Sequence, residues 1–359
     1  MTFFFDPADM SDSPSISSAL SVTADHLTEV QATQIAAEHF GLETRATLLT
    51  GERDQNFLLQ TTDSRFVLKV SHPAEARGAI DFQTAALLHI ARADPSLPTP
   101  RIIPARDGNP QAEITDSAGA ARVARVISFL PGVMAAHSPS SPRFRHAFGD
   151  TLARFDRALA GFSHPADTFE FSWDLGQASR LRPMVAGVAD PTDRANTECA
   201  LDRFDAAIAP MLSRLRRQVI HNDFNPFNIL VREDDPGTIT GVLDFGDMIR
   251  APLINDLAVA TAYQVGRGAD PLAPVLEIVA AYSAVNPPTA EESDLLYDLI
   301  ATRLTMNLLI AEWRAARHPE NRAYILKNHP VAVAGLIQLS GIARTDAQHR
   351  FRHASGLDN

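Results

Sequence analysis

Residues 219–247 read VIHNDFNPFNILVREDDPGTITGVLDFGD, and the fold turns on how that stretch is read. Ile229, Leu230 and Val231 form a brief apolar run. Asp235-Pro236-Gly237 is strong turn chemistry, and residues 238–245 alternate as a strand should, so the segment predicts a two-stranded ribbon. Such a ribbon carries Asp244 back toward Asn228, with Asp223 on the loop just before. Carboxylate and amide oxygens suit a hard cation. Mg²⁺ in particular takes only one or two protein carboxylates and keeps phosphates and waters as its other ligands.

The order H-x-D-x-x-x-x-N followed by D-F-G is the spacing of a kinase catalytic loop and metal loop. The chemistry behind that spacing is phosphoryl transfer, in which the protein chiefly positions groups and neutralises charge. In this reading Asp223 orients and deprotonates an attacking hydroxyl, while Asn228 and Asp244 hold Mg²⁺ on the phosphates of ATP or GTP. Phe245-Gly246 lets the backbone turn tightly behind Asp244. His221 joins the catalytic group as a hydrogen-bonding strut rather than as a base.

Composition narrows the setting. A chain of 359 residues exceeds the ~250 to 300 at which single cores stop growing, so two lobes are expected. Apolar residues make up 45% and charged residues 21%, ordinary values for a globular protein. A net charge of −11 disfavours nucleic acid as a partner, which asks for a basic face. The lone cysteine, Cys199, has no intramolecular partner and points to a reducing compartment. No stretch approaches the ~18 consecutive apolar residues of a membrane span, and the start lacks the basic and apolar regions of a secretory signal. A cytoplasmic protein with no membrane partner is expected; composition leaves the oligomeric state undetermined.

Residues 1–22 lack any period and read as a tail. A helix is expected over 23–40, stopped by Gly41, then a meander with strands at 47–50, 56–61 and 65–70. The loop at 51–56 lies where a kinase folds a loop over phosphates, which makes Arg53 and Asn56 candidate nucleotide contacts. Alternation in the third strand sets Phe66, Leu68 and Val70 on one face and Val67 with Lys69 on the other, so Lys69 can reach the α/β-phosphates. A helix over 74–92 offers Glu75 or Asp81 as its ionic partner, with Asp81 preferred. A strand over 123–130 ends at Pro131-Gly132, the expected lobe boundary, where backbone groups of Ser128 to Leu130 could hydrogen-bond a purine edge. The N-lobe is thus 23–130 and the C-lobe 131–359. Helices are expected after Ser141-Pro142 and over 194–217, 253–264, 271–285, 291–316 and 322–342. The fold class is α+β, a bilobal protein-kinase-like fold with an antiparallel sheet plus helix in the small N-lobe and a larger, mainly helical C-lobe.

Only the stretch 247–252 separates Gly246 from the helix expected from Leu253, too little for the peptide platform of a protein kinase. Asn222 also replaces the arginine that would pair with an activation-loop phosphate. The stretches HNDFNPFN and LDFGD, with the following P-L-x-x-D-L-A, resemble the aminoglycoside phosphotransferase-like superfamily, which includes choline, ethanolamine and homoserine kinases. GERDQNF, FVLKV, DFQ, SWDL and LDFGDMIRAPLINDLAVATAYQ look most like hydroxylysine kinases. The resemblance implies Asp223 as base, Asn228 and Asp244 as metal ligands, Lys69 as a phosphate contact and Asp256 as a brace for the catalytic loop. Glycine is common where Asn222 stands, and glutamate where Asp81 stands. The acceptor implied is a small amine-bearing alcohol, hydroxylysine-like, with Asp247, Arg250, Arg303 and Trp313 as candidate contacts. Alternatives are an aminoglycoside, choline, ethanolamine or homoserine kinase, or a kinase-shaped binding protein without turnover.

Overall fold

The computed structural model describes residues 26–49, 54–169 and 171–357. The chain divides into two compact units, one running to Pro131 and taking in His164–Asp167, the other made of Gly132–Ser163 and the remainder from Thr168.

In the first unit, helix α1 (Glu29–Phe40) opens with a capping box between Thr28 and Gln31 and closes on Gly41 at φ 70°, the left-handed conformation glycine adopts without penalty. The antiparallel meander follows as β1 (Arg45–Leu49), β2 (Gln55–Gln60) and β3 (Arg65–Val70). After helix α2 (Arg77–Ala93), strands β4 (Ile102–Ile103), β5 (Ala112–Thr115) and β6 (Ala121–Ser128) complete a six-stranded sheet, with β6 beside β3 and pairing both β4 and β5. Its core joins Ala32, Ala36 and Phe40 of α1 to Phe57, Leu59, Leu68, Val70 and Val126 of the strands. The expected tail at 1–22 lies outside the described residues, as does Arg53. Two-residue β4 and four-residue β5 carry too little pattern to be read from sequence among the prolines around them.

The second unit is mainly helical, with short ribbons. After β7 (Val133–Met134), helix α3 (Pro142–Ala158) begins as Ser141-Pro142 predicts, the Ser141 hydroxyl accepting from the Phe144 N–H. Helix α4 (Pro191–Arg203) ends well short of the expected residue 217. The chain passes instead through a π-turn at Phe204–Ile208 and a 3₁₀ turn at Ala209–Met211, because Pro210 cannot donate the hydrogen bond a continuing helix needs.

Strand β8 (Arg217–Ile220) then leads into the decisive segment, and β9 (Ile229–Arg232) pairs with β10 (Asp235–Val242) as the ribbon reading required. The reversal falls at Glu233-Asp234, one step before the expected turn. Asp235 faces Arg232 and is gripped by Arg143, Arg232 and Thr238. Strand β11 (Ile249–Pro252) pairs with β8, a ribbon absent from the sequence reading. Helices α5 (Ile254–Ala262), α6 (Ala273–Ser283) and α7 (Ala290–Arg317) follow. The single helix expected over 322–342 is broken into α8 (Arg322–Ile325), a 3₁₀ turn and α9 (His329–Ser340), with Pro330 in the first turn of α9, where its missing N–H costs nothing. Helix α10 (Arg344–Ala354) closes the described chain. None of the described helices is long and apolar enough to cross a membrane.

Candidate active site

The loop between β8 and β9 is held from three sides. Asp256, in the first turn of α5, accepts the backbone N–H of His221 at its Oδ2 and that of Asn222 at its Oδ1, both at 2.8 Å. Asn222 is fully buried with φ at 63°, a left-handed conformation that asparagine and glycine tolerate and most residues do not. That explains the asparagine at a position where glycine is common. Within the loop, the Asn225 side chain accepts from the Phe227 N–H and its carbonyl accepts from the Asn228 N–H, which winds Asn228 back beside Asp223.

Leu243 joins this loop to the next. Its N–H donates to the Asn228 carbonyl at 2.8 Å, and its carbonyl lies 3.0 Å from His221 Nε2. The other imidazole nitrogen, Nδ1, accepts from the Asp223 N–H at 3.3 Å. Both imidazole nitrogens of His221 are thus engaged by backbone groups. The ring links the two loops, as the expected hydrogen-bonding strut would. Asp244, the residue after Leu243, is exposed and adopts φ 60°, with its Oδ1 accepting from the Gly246 N–H.

Asp223 is the meeting point. Its Oδ2 accepts from Asn228 Nδ2 at 2.7 Å and its Oδ1 from Arg303 at 3.1 Å, while 21% of the side chain remains accessible. Burial pushes its carboxyl above the ordinary range, and the Asp244 charge adds to the push against the opposing pull of Arg303. Arg303, from the middle of α7, is buried, donates to the Trp173 carbonyl at 3.2 Å and lies over the Trp173 ring at 5.1 Å. The candidate substrate contact is thus the ionic partner of Asp223. The sequence offered no signal for this pairing across 80 positions.

The donor set suits a divalent cation. With its amide nitrogen committed to Asp223, Asn228 has its side-chain oxygen left as a ligand of the kind a cation takes, and Asp244 keeps an exposed carboxylate whose charge bears on Asp223. No group of three or more His, Cys, Asp or Glu able to hold a metal lies among the described residues, so a cation here would share its shell with phosphate or water, as Mg²⁺ does.

The remaining acceptor candidates scatter. Arg250 donates to the Phe162 carbonyl at 2.9 Å. Asp247 is half-buried and acts electrostatically on Arg303. Trp313 lies under the Arg317 guanidinium at 3.8 Å, ten residues or about 15 Å along the helix from Arg303; α7 does not bring it to Asp223.

In the first unit, cross-strand register sets Asn56 of β2, Lys69 of β3 and Arg125 of β6 in one row. Lys69 Nζ pairs with Asp54 at 3.3 Å, and buried Arg125 reaches the same carboxylate at 3.5 Å. Burial pushes Asp54 up, but the charges of Lys69 and Arg125 prevail and hold it below the usual carboxylate range. Asn56 Oδ1 is buried without a hydrogen-bond partner among the described residues. The expected partner, Asp81, is instead taken by Arg77 at 2.9 Å, one helical turn before it, and by Gln111. The pairing of Lys69 with Asp81 is therefore wrong, and Asp54 fills the place. Ser128 donates its N–H to the Arg101 carbonyl and accepts the Arg101 N–H at its hydroxyl, so that amide is already occupied within the sheet. Leu130 is half-buried two residues on.

An antiparallel sheet unit, a helical unit and a loop pair bearing Asp223, Asn228 and Asp244 define a protein of the kinase-like class. The profile of the Phosphotransferase enzyme family matches residues 45–296, and the chain belongs to that family. It is 27% identical over 332 residues to the hydroxylysine kinase of Xenopus laevis, an alignment covering 86% of this chain and 88% of the relative. Among solved structures, a microcompartment-associated aminopropanol kinase aligns with a TM-score of 0.62 at 18% identity, over 92% of this chain and 99% of that one. An amicoumacin kinase whose structure contains AMP-PNP, Ca²⁺ and Ami aligns with a TM-score of 0.63 at 16% identity, over 89% and 97%. These likenesses establish the kinase-like fold.

Proposed function

We propose that this phosphotransferase moves the γ-phosphoryl group of ATP or GTP, with Mg²⁺, to the hydroxyl of a small amine-bearing metabolite of the hydroxylysine kind. The observation that carries the reading is the Asp223 carboxylate, fixed at one oxygen by Arg303 and at the other by Asn228 while still accessible. A carboxylate so held is suited to orient an alcohol and accept its proton. Mg²⁺, when bound, would neutralise charge on the transferring phosphate. Asn228 and Asp244 would supply its protein oxygens. Lys69, steadied by Asp54, would contact nucleotide phosphate, and Arg303 would keep Asp223 ionised and oriented. The similarity to hydroxylysine kinase over most of both chains supports the choice of acceptor.

A panel of 5-hydroxylysine, homoserine, choline, ethanolamine, 1-amino-2-propanol and an aminoglycoside, each scored by nucleotide consumption with Mg²⁺, tests this reading. Hydroxylysine should give the highest kcat/KM. Turnover confined to the aminoglycoside or to choline would refute the acceptor, and no turnover with any alcohol would refute the reaction.

A further inference from the structure

Behind the catalytic loop lies a second carboxyl that the proposed chemistry does not use. Asp156, near the end of α3, is fully buried, and its carboxyl lies against that of Asp256, which is itself fully buried. Its Oδ2 accepts from the Tyr282 hydroxyl at 2.7 Å. Its Oδ1 is buried without a hydrogen-bond partner among the described residues. Asp256 already takes a backbone N–H at each oxygen and stands in the first turn of α5, where a helix favours negative charge.

Two carboxylates cannot hydrogen-bond to each other without a proton between them. The double N–H cradle marks Asp256 as the ionised partner, which leaves the proton on Asp156. We propose that Asp156 is a neutral carboxylic acid that donates to Asp256 and so fixes the His221-Asn222 backbone from which Asp223 projects. Asp156 is then a positioning residue, acting through Asp256 and the loop. The charged and titratable groups facing it are Asp256 of α5, Tyr282 of α6 and Arg216 just before β8, with Arg216 tied to Glu292. Burial, then Asp256, push the Asp156 carboxyl well above the ordinary range. Gln218 of β8 also donates to the Asp156 carbonyl at 2.7 Å, anchoring the start of the same loop to α3.

The kinetic arm rests on the phosphotransferase reading; the spectroscopic arm does not. Asp156→Ala should lower kcat about tenfold or more while leaving the KM for nucleotide within about twofold, since it removes a donor to a buried charge. Asp156→Asn, which offers an amide N–H to Asp256 and an oxygen to Tyr282, should restore kcat to within about threefold of the native enzyme. In infrared difference spectra of folded protein at pH 7, the native chain should show a protonated-carboxyl stretch that Asp156→Asn lacks. Identical spectra in that region would overturn the proposal even if the chain turned over no substrate. Loss of kcat in the folded asparagine variant equal to that in the alanine variant would overturn it as well.

Discussion

The Asp223 carboxylate has each oxygen spoken for, Arg303 on one side and Asn228 on the other, and its worth as a base depends on both. Replacing it by asparagine keeps the shape and removes the proton acceptor. Asp223→Asn should therefore lower kcat by ~10²–10⁴-fold, while a nucleotide with Mg²⁺ still raises the melting temperature. Unchanged turnover in that variant would show the base to be elsewhere. Arg303 is buried against the acid it serves, and lysine cannot reproduce its planar fork. Arg303→Lys should cost roughly tenfold or more in kcat, measured against the same acceptor, with protein folded as judged by circular dichroism. At this scale the sequence disclosed what lies in one short segment and hid what packing decides. Asp223, Asn228 and Asp244 were legible because their spacing is local. The partners Arg125, Arg303 and Asp156 come from strands and helices far along the chain, and Asp54 from the bend just before β2; nothing in the letters says which acid a buried cation will meet. The choice of Asp81 for Lys69 failed on that ground, since Arg77 claims Asp81 from one turn away.

Periodicity and breakers foretold most of the elements. The three-strand meander and helices α2, α3 and α5 to α7 fall within a few residues of expectation, while α1 stops at Gly41 as expected but begins only at Glu29. The failures sit at Pro210 and Pro330, where an apolar pattern continued but the backbone could not, and at β4, β5 and β11, which are too short to show alternation. One glycine had a helical reading and a tertiary reason. Gly149 lies inside α3, and a Cβ added there would collide with the Ile278 carbonyl and approach Ala281 Cβ at 3.0 Å, both on α6. Helix propensity alone would favour alanine by ~1 kcal/mol, but the obstructing atom is backbone and cannot swing aside. Gly149→Ala should therefore destabilise the protein by about 1–3 kcal/mol, read from urea unfolding. A stabilised variant would mean the two helices separate at little cost. Because α3 carries Asp156 and α6 carries Tyr282, the same substitution should also lower kcat.

For the whole molecule, the buried acids give an unusual dependence of stability on pH. Asp156 has a folded value pushed well up by burial and by Asp256, so the folded chain holds a proton there that the unfolded chain releases above about pH 4. Its contribution is present in full below the unfolded value. It declines by up to about 1.4 kcal/mol per pH unit as pH rises, until the folded value is passed. Asp156→Asn carries no such proton. Its melting temperature should gain on that of the native chain between pH 5 and pH 7 in paired calorimetric scans, and a constant gap would mean Asp156 is ionised when folded. The imidazole of His221, sealed from water and clasped by the backbone of two loops, offers a further handle of a different kind. A ring N–H so enclosed exchanges slowly with solvent and should give a sharp downfield proton resonance, an intrinsic gauge of whether those loops stay joined during turnover without any label being introduced.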